Sequence, residues 1–380
     1  MRFLLTTAPM HGHLMQLVPT AWALRAAGHE VLVAAPAGFD PAVAAAGLPA
    51  AVVSPAVSME QMIGRDRDGV PVPWPADPAA KIARSGRGFA RLAARTLPGL
   101  RALVRSWRPD LLVCEPTEYA GPLAAAAARL PWVEQWWGLA LDPGYRRAAA
   151  EELAPELDLL GLPGLPTPDL VLDVFPPSLQ AEGVPPRRLM RHVPYNGSAV
   201  LPAWVHEPRD RPRVSVTFGS VMPAFAARLL ARAVTALDRL GAEILLAAAP
   251  EVVRELGELP RSVRSAGWLP LSAVLPGCDL SVHHGGPGST LASFAARLPQ
   301  LIVPGASDTP AYARLVRERG AGLSCTPDDL ECDAFAASCR ALLRDDSPRR
   351  AAAAVAAEMS AMPAPSELVP TLTALAGAAR

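Results

Sequence analysis

Lysine is almost absent from this chain. Lys81 is the one lysine among 380 residues, so nearly every cation is an arginine. Charge of one sign is lacking as well: Lys+Arg and Asp+Glu both number 36. Without an excess of positive charge there is no field to collect nucleic acid or an anionic membrane surface. No uninterrupted apolar run reaches the roughly 18–20 residues that cross a bilayer, which excludes an integral membrane protein on this pattern. The first residues read as a strand, without the charged start, apolar run and cleavage site of a signal peptide. The five cysteines, Cys114, Cys278, Cys325, Cys332 and Cys339, are odd in number and lack zinc-ligand spacing. They suit reduced thiols in a cytoplasmic protein. Residues 8–13 lack a G-x-G-x-x-G spacing after the first strand, which argues against a nicotinamide-dependent oxidoreductase.

What is present is an alternation of strand and helix. Apolar residues make up 51% of the chain, enough for two cores, and the length suits two domains of ordinary size. Strands are expected at 3–6, 30–34, 50–53, 110–114 and 132–135, and helices at 14–27, 41–46, 87–107 and 119–129. Short buried strands separated by helices predict a parallel sheet covered on both faces. The rhythm restarts with strands at 213–218, 243–247, 279–282 and 300–303. Between the halves, residues 197–213 are rich in proline and charge, as a linker is. Stretches 57–78 and 155–168 read as irregular loops of the kind that bind substrate. The expected organisation is a first domain over 1–196, a linker over 197–211, a second domain over 212–362 and a last helix over 363–380 that returns to the first domain.

The richest local signal is Cys278-Asp-Leu-Ser-Val-His-His-Gly-Gly-Pro-Gly-Ser-Thr290, preceded by Trp268 and followed by Asp308-Thr309. A buried strand running into a glycine turn and a helix N-terminus makes an anion site, because free N–H groups and the positive helix end point at one spot. His283 and His284 could add donors there. In the first half, His13 stands in Pro9-Met-His-Gly-His-Leu-Met-Gln-Leu-Val-Pro19, between strand one and helix one. That loop lies at the carboxyl end of a strand, where ligands bind in open parallel sheets. On local sequence alone, His13 and its neighbour His11 read as capping or packed side chains.

With these motifs in this order, the chain resembles the nucleotide-sugar-dependent glycosyltransferases of bacterial natural products and plant metabolites. The resemblance runs from Met1 to about residue 360. It implies an α/β chain of two facing Rossmann-like domains, the GT-B architecture, with a reaction cleft between them. It also implies that His13 is the general base toward an acceptor hydroxyl, within Gly-His-x-x-x-x-x-Pro. Glu115, after the strand at 110–114, stands where many relatives place an aspartate that would orient the base. Glu118, Glu134 and Asp142 are its rivals from neighbouring loops.

For the donor, the resemblance implies that His284 bonds a diphosphate oxygen. Gly286, Gly288, Ser289 and Thr290 would hold the second phosphate, Ser220 would add a second phosphate-side loop and Trp268 would stack on the nucleobase. Asp308 and Thr309 match an Asp-Gln pair for sugar hydroxyls. Thr309 is shorter than glutamine, which suits a deoxysugar. Pro287 removes one N–H from the turn. Trp74, Phe89, Trp132, Trp136, Trp137 and Tyr145 are the aromatics expected near the acceptor side, with Trp74, Trp136 and Trp137 as its contacts and one member of the 136–137 doublet in the core. Trp268 in the core and an ordinary glycine turn at 285–286 are the bland alternatives.

The expected function is an inverting, metal-independent transfer of a sugar, with dTDP- or UDP-sugar as co-substrate and no resident cofactor. The donor is expected to be a dTDP-deoxyhexose and the acceptor a hydrophobic small molecule such as an aromatic polyketide, joined through oxygen or carbon. A homodimer or an auxiliary protein is compatible with this reading. The competing readings are a nucleotide-sugar epimerase and a catalytically inactive glycosyltransferase-like partner protein.

Overall fold

Runs such as Leu111–Cys114 (Leu-Leu-Val-Cys), with every residue buried, have no polar alternation and therefore form strands covered on both faces. The computed structural model describes residues 1–180, 187–219, 223–305, 308–331 and 333–378. The chain divides into two units: Met1–Phe175, Gln180–Val193 and Met362–Arg380 form the first, and Pro176–Leu179 with Pro194–Ala361 the second.

Among the described residues, the first unit contains seven parallel strands: β1 (Arg2–Thr6), β2 (Glu30–Pro36), β3 (Ala50–Ser54), β4 (Leu111–Cys114), β5 (Trp132–Gln135), β6 (Leu170–Asp173) and β7 (Arg188–Leu189). Their order is β3-β2-β1-β4-β5-β6-β7. Leu4 is paired with Leu32 on one side and Leu112 on the other. Strand order therefore reverses direction between β1 and β4, and the carboxyl ends of those two strands flank the place where such sheets bind ligands. The helices are α1 (His11–Ala26), α2 (Asp40–Ala45), α3 (Met59–Gly64), α4 (Pro78–Trp107), α5 (Ala120–Ala128), α6 (Pro143–Glu152) and α7 (Ala154–Leu160). One core cluster joins Leu4, Phe89, Leu92, Leu100, Leu112, Leu123 and Trp132 across the sheet and its helices.

Three expectations for this unit are corrected. The long helix α4 starts at Pro78, because Asp77 caps it by accepting from Ala80 N at 2.7 Å and Pro78 occupies the first turn. Stretch 57–78 is not wholly irregular. It holds α3, capped by Ser58, and its following turn is tied down by Arg84, which donates to the carbonyls of Ile63 (2.6 Å), Val72 (2.6 Å) and Pro73 (3.1 Å). Stretch 155–168 begins with α7, whose Pro155 and left-handed Gly161 (φ 64°) are helix start and stop signals. The prolines and glycines there punctuate helices rather than abolish them.

The second unit repeats the plan among its described residues. Its parallel strands are β8 (Arg213–Thr217), β9 (Glu243–Ala247), β10 (Val263–Gly267), β11 (Leu280–His283), β12 (Gln300–Ile302) and β13 (Gly322–Ser324). The order is β10-β9-β8-β11-β12-β13, with the reversal between β8 and β11. Helices α8 (Pro223–Arg239), α9 (Pro250–Leu256), α10 (Leu271–Val274), α11 (Pro287–Ala295), α12 (Thr309–Glu318), α13 (Asp333–Arg344) and α14 (Ser347–Ala361) cover this sheet, while α15 (Pro365–Ala378) packs on α1 of the first unit. Val214, Val216, Ile244, Leu246, Val282 and Leu301 form the strand side of its core. No helix among the described residues is long and apolar enough to cross a membrane.

Candidate active site

β1 and β4 deliver one residue each to a single buried cluster. His13, in the first turn of α1, brings Nδ1 to 2.9 Å from Glu115 Oε1. Glu115 directly follows β4 and is 1% exposed, and the His13 side chain is 11% exposed. The carboxylate is crowded with donors. Oε1 also accepts from Ala8 N (3.2 Å) and Thr117 Oγ1 (3.1 Å), and Oε2 accepts from Thr117 N (2.8 Å), Thr117 Oγ1 (2.8 Å) and Trp137 Nε1 (3.1 Å). Burial by itself would raise the Glu115 carboxyl. The His13 charge and hydrogen bond, with the Thr117 donors, outweigh it and hold Glu115 down at about 2.

An ionised Glu115 accepts from His13 Nδ1–H, which leaves Nε2 as the basic nitrogen. No hydrogen bond from a described residue reaches Nε2. Phe89 lies against the imidazole (centroids 5.8 Å apart, 29° between planes), and Trp137 is tilted against it (5.0 Å, 50°). The arrangement can take a proton at Nε2 and stabilise the resulting imidazolium.

The rival carboxylates have other partners. Glu118 accepts from Thr6 Oγ1 (2.5 Å), Ala120 N (3.0 Å) and Gly121 N (2.8 Å), and burial pushes it up to about 7. Glu134 accepts from Trp136 Nε1 at 2.6 Å, and Asp142 caps α6 through Gly144 N. Trp136 also carries the Arg187 guanidinium 3.7 Å from its ring centroid. One of its faces is thus taken by a cation, and the doublet member beside His13 is Trp137. Trp74 is 57% exposed in the turn held by Arg84, whose guanidinium is 5.9 Å from the Trp74 ring. Thr117 and the Ala8 amide were missed by sequence reasoning, whereas Phe89 was among the aromatics expected near the acceptor. Of these, Pro116-Thr117 directly after the glutamate was a readable turn signal.

In the second unit the histidine doublet separates into two roles. His283 is fully buried. Its Nδ1 accepts from Gly285 N at 3.1 Å, so Nε2 carries the proton toward Gln300 Oε1 at 2.9 Å. Burial, then the neighbouring His284, push it down to about 3, with Gln300 opposing. Both ring nitrogens are therefore engaged, which corrects the expectation that His283 adds a donor to a bound anion. Gln300 continues the chain to Thr290 O at 3.4 Å. His284 sits between two glycines. A Cβ on Gly286 would meet its Nε2 at 2.5 Å, and one on Gly219 (φ 77°) would meet its Cε1 at 3.0 Å. Burial pushes His284 down to about 4, so it too is neutral at physiological pH, and its buried Nδ1 has no hydrogen-bond partner among the described residues.

Gly286 is the N-cap residue of α11, with Pro287 in its first turn. The amides of Gly288 and Ser289 stand in that turn, where N–H groups have no partner within the helix. Thr290 and Thr309 both have hydrogen-bond partners within their own turns. Thr290 is buried and its hydroxyl donates to Gly286 O at 3.0 Å, while buried Thr309 accepts from Gly305 N at 3.1 Å. Each helps to shape a turn. Asp308 is the N-cap residue of α12 and half-buried. Trp268, just after β10, is 43% exposed and donates Nε1 to Asn196 O at 3.0 Å, so it is not a core residue. Ser220 lies outside the described residues.

Two family models match this chain: the N-terminal domain of erythromycin biosynthesis protein CIII-like proteins over residues 22–219, and their C-terminal domain over residues 230–375. The chain belongs to that family. The CIII-like family is one of glycosyltransferases, and this chain is an enzyme of that class. It is 41% identical over 356 residues to the L-demethylnoviosyl transferase of Streptomyces niveus, covering 92% of each chain. It is 38% identical to the elloramycin glycosyltransferase ElmGT of Streptomyces olivaceus, covering 98% of this chain and 97% of the other. Among solved structures it resembles the glycosyltransferase SsfS6 of Streptomyces sp. SF2575 complexed with thymidine diphosphate. The TM-score is 0.89 at 38% identity, over 98% of this chain and 99% of that one. With its two parallel sheets and this likeness, the chain has the two Rossmann-like domains of the GT-B architecture. Neither the epimerase nor the inactive-partner reading finds support among these relatives.

Proposed function

We propose that the chain transfers a deoxyhexose from a dTDP-sugar to a hydrophobic small molecule, such as an aromatic polyketide, with inversion at the anomeric carbon. The observation that carries this reading is the His13–Glu115 pair assembled at 2.9 Å where β1 and β4 end. His13 Nε2 takes the proton of an acceptor hydroxyl, or of a phenol that attacks through ring carbon. The acceptor atom bonds the anomeric carbon as the bond to the diphosphate oxygen breaks, and the electron pair leaves with the diphosphate. Attack opposite the leaving group inverts the centre. Glu115 steadies the imidazolium until the proton is passed on.

The leaving diphosphate gathers negative charge, which helix dipole and donors can meet without a cation. His284, Gly286 and the Gly288 and Ser289 amides supply those donors and the room for a phosphate. Trp268 stacks on the base, Asp308 bonds the sugar, and Ser220 belongs to the phosphate-side loop. Trp137 and the segment carrying Trp74 border the acceptor, with Trp136 behind them. The thymidine diphosphate held by SsfS6 supports dTDP over UDP. A thermal-shift series with dTDP, UDP and GDP tests the donor. Stabilisation should be largest with dTDP, since a ligand bound at 100 times its Kd adds about 2.7 kcal/mol. Equal or greater stabilisation by GDP would defeat the dTDP assignment.

A further inference from the structure

We infer that Trp137 is a positioning residue: its indole N–H, with Thr117, holds the far oxygen of Glu115 so that the near oxygen stays on His13. This rests on the general-base reading of His13. Glu115 has three rotatable side-chain bonds, and its carboxylate must be held by contacts to present one oxygen steadily. The structure divides that labour. Oε1 faces His13, and Oε2 takes the indole N–H at 3.1 Å and the Thr117 amide at 2.8 Å. A buried tryptophan N–H requires an acceptor, and here the acceptor is the carboxylate partner of the base. The same ring leans on the His13 imidazole with centroids 5.0 Å apart. Trp137 is 7% exposed. It therefore touches both members of the pair, and phenylalanine would keep most of its packing while removing the donor.

The donors also share the negative charge of Glu115. Removing one leaves more of that charge directed at His13 Nδ1–H and favours the imidazolium, so His13 should titrate at higher pH. The other ionisable groups near Glu115 are Cys114, Glu118 and Tyr119 from β4 and the segment leading into α5, and Glu134 from β5. Helix α4 contributes the uncharged Phe89 ring. Because Glu118 titrates near neutrality, the readout must come from His13 itself, by NMR of the labelled imidazole.

Trp137→Phe is expected to raise the His13 titration midpoint by about half a unit to one unit and to lower kcat about tenfold, the order of a lost hydrogen bond to a charged group. Acceptor KM should change by less than about twofold. Thr117→Val removes a hydroxyl that donates to Glu115 and also lies 3.3 Å from His13 Nδ1; a lowered kcat at unchanged acceptor KM in this variant gives the test if Trp137→Phe does not fold. An unmoved His13 midpoint with wild-type kcat, or a rise in acceptor KM alone, would overturn the inference and leave Trp137 as a wall. His13→Ala separates the two levels. Wild-type turnover in that variant defeats the base reading, whereas an inactive His13→Ala beside an unaltered Trp137→Phe defeats the Trp137 inference alone.

Discussion

Each unit places histidine where strand order reverses, on opposite sides of that reversal (after β1 in the first unit, at the end of β11 in the second), and the two treat it in opposite ways. After β1, His13 meets an ionised carboxylate that stabilises its protonated form. At the end of β11, His283 and His284 meet amides, an amide side chain and close-packed glycines, and burial keeps both neutral. One topology thus supports a group suited to accept a proton and a group suited to remain uncharged beside an anion. The deciding variable is the charge beside the ring: the ionised Glu115 in one unit, and burial without a charged partner in the other.

The largest effect should come from breaking the first side of this comparison. His13→Ala is expected to lower kcat by roughly 10²–10⁴, the range of a lost general base, with donor-nucleotide affinity nearly unchanged. A folded variant with wild-type turnover would remove His13 from the chemistry. Next comes His284→Ala, which should weaken dTDP binding and slow the chemical step together by about tenfold or more, because one contact serves ground state and leaving group. Calorimetric titration with dTDP alongside single-turnover kinetics separates these. Intact dTDP affinity would refute the diphosphate role. EDTA should change little, and Mg²⁺-reversible loss of activity would argue for a metal.

The smallest effect sharpens the second side. His283→Ala should leave proton transfer intact but strip Gly285 N and Gln300 Oε1 of their partner, at about 1–3 kcal/mol for each buried group left unpaired. The pH dependence has a definite sign. The folded midpoint near 3 lies below the unfolded value of 6.5, so the stability tied to neutral His283 is complete above pH 6.5. It is lost as pH falls through that window, because the unfolded chain takes up the proton. The variant lacks this loss, and its deficit in Tm should shrink between pH 7.5 and pH 5.5. A deficit that grows on acidification would show that His283 is protonated in the folded protein.

Much of this was legible beforehand, and for local reasons. Strands such as 111–114 are short apolar runs, and the glycine turn that starts at 285 leads into a helix whose first-turn amides lack partners within the helix whatever the rest of the chain does. The resemblance in the Gly-His and His-His-Gly-Gly motifs pointed to the family that the family models then matched. Less legible were α3 and α7, because proline and glycine in those stretches were weighed as loop formers, although Pro155 and Gly161 sit where helices begin and end. The partners of Thr290 and His283 were unreadable in another way. Threonine and histidine both suit a ligand, but whether a hydroxyl or ring nitrogen is already occupied depends on neighbours distant in the chain.

The amino-acid sequence by itself determined the alternation of strand and helix, the parallel sheets and the positions of the phosphate-type turn and of His13, since each depends on local periodicity and turn chemistry. Only the tertiary structure decided which carboxylate meets His13, that Trp137 donates to it, and which histidine of the doublet is locked to Gln300. Those pairings join residues separated by many positions, from 17 for His283–Gln300 to 102 for His13–Glu115. Burial then sets their protonation, because desolvation and a specific partner act only once the chain has brought the groups together.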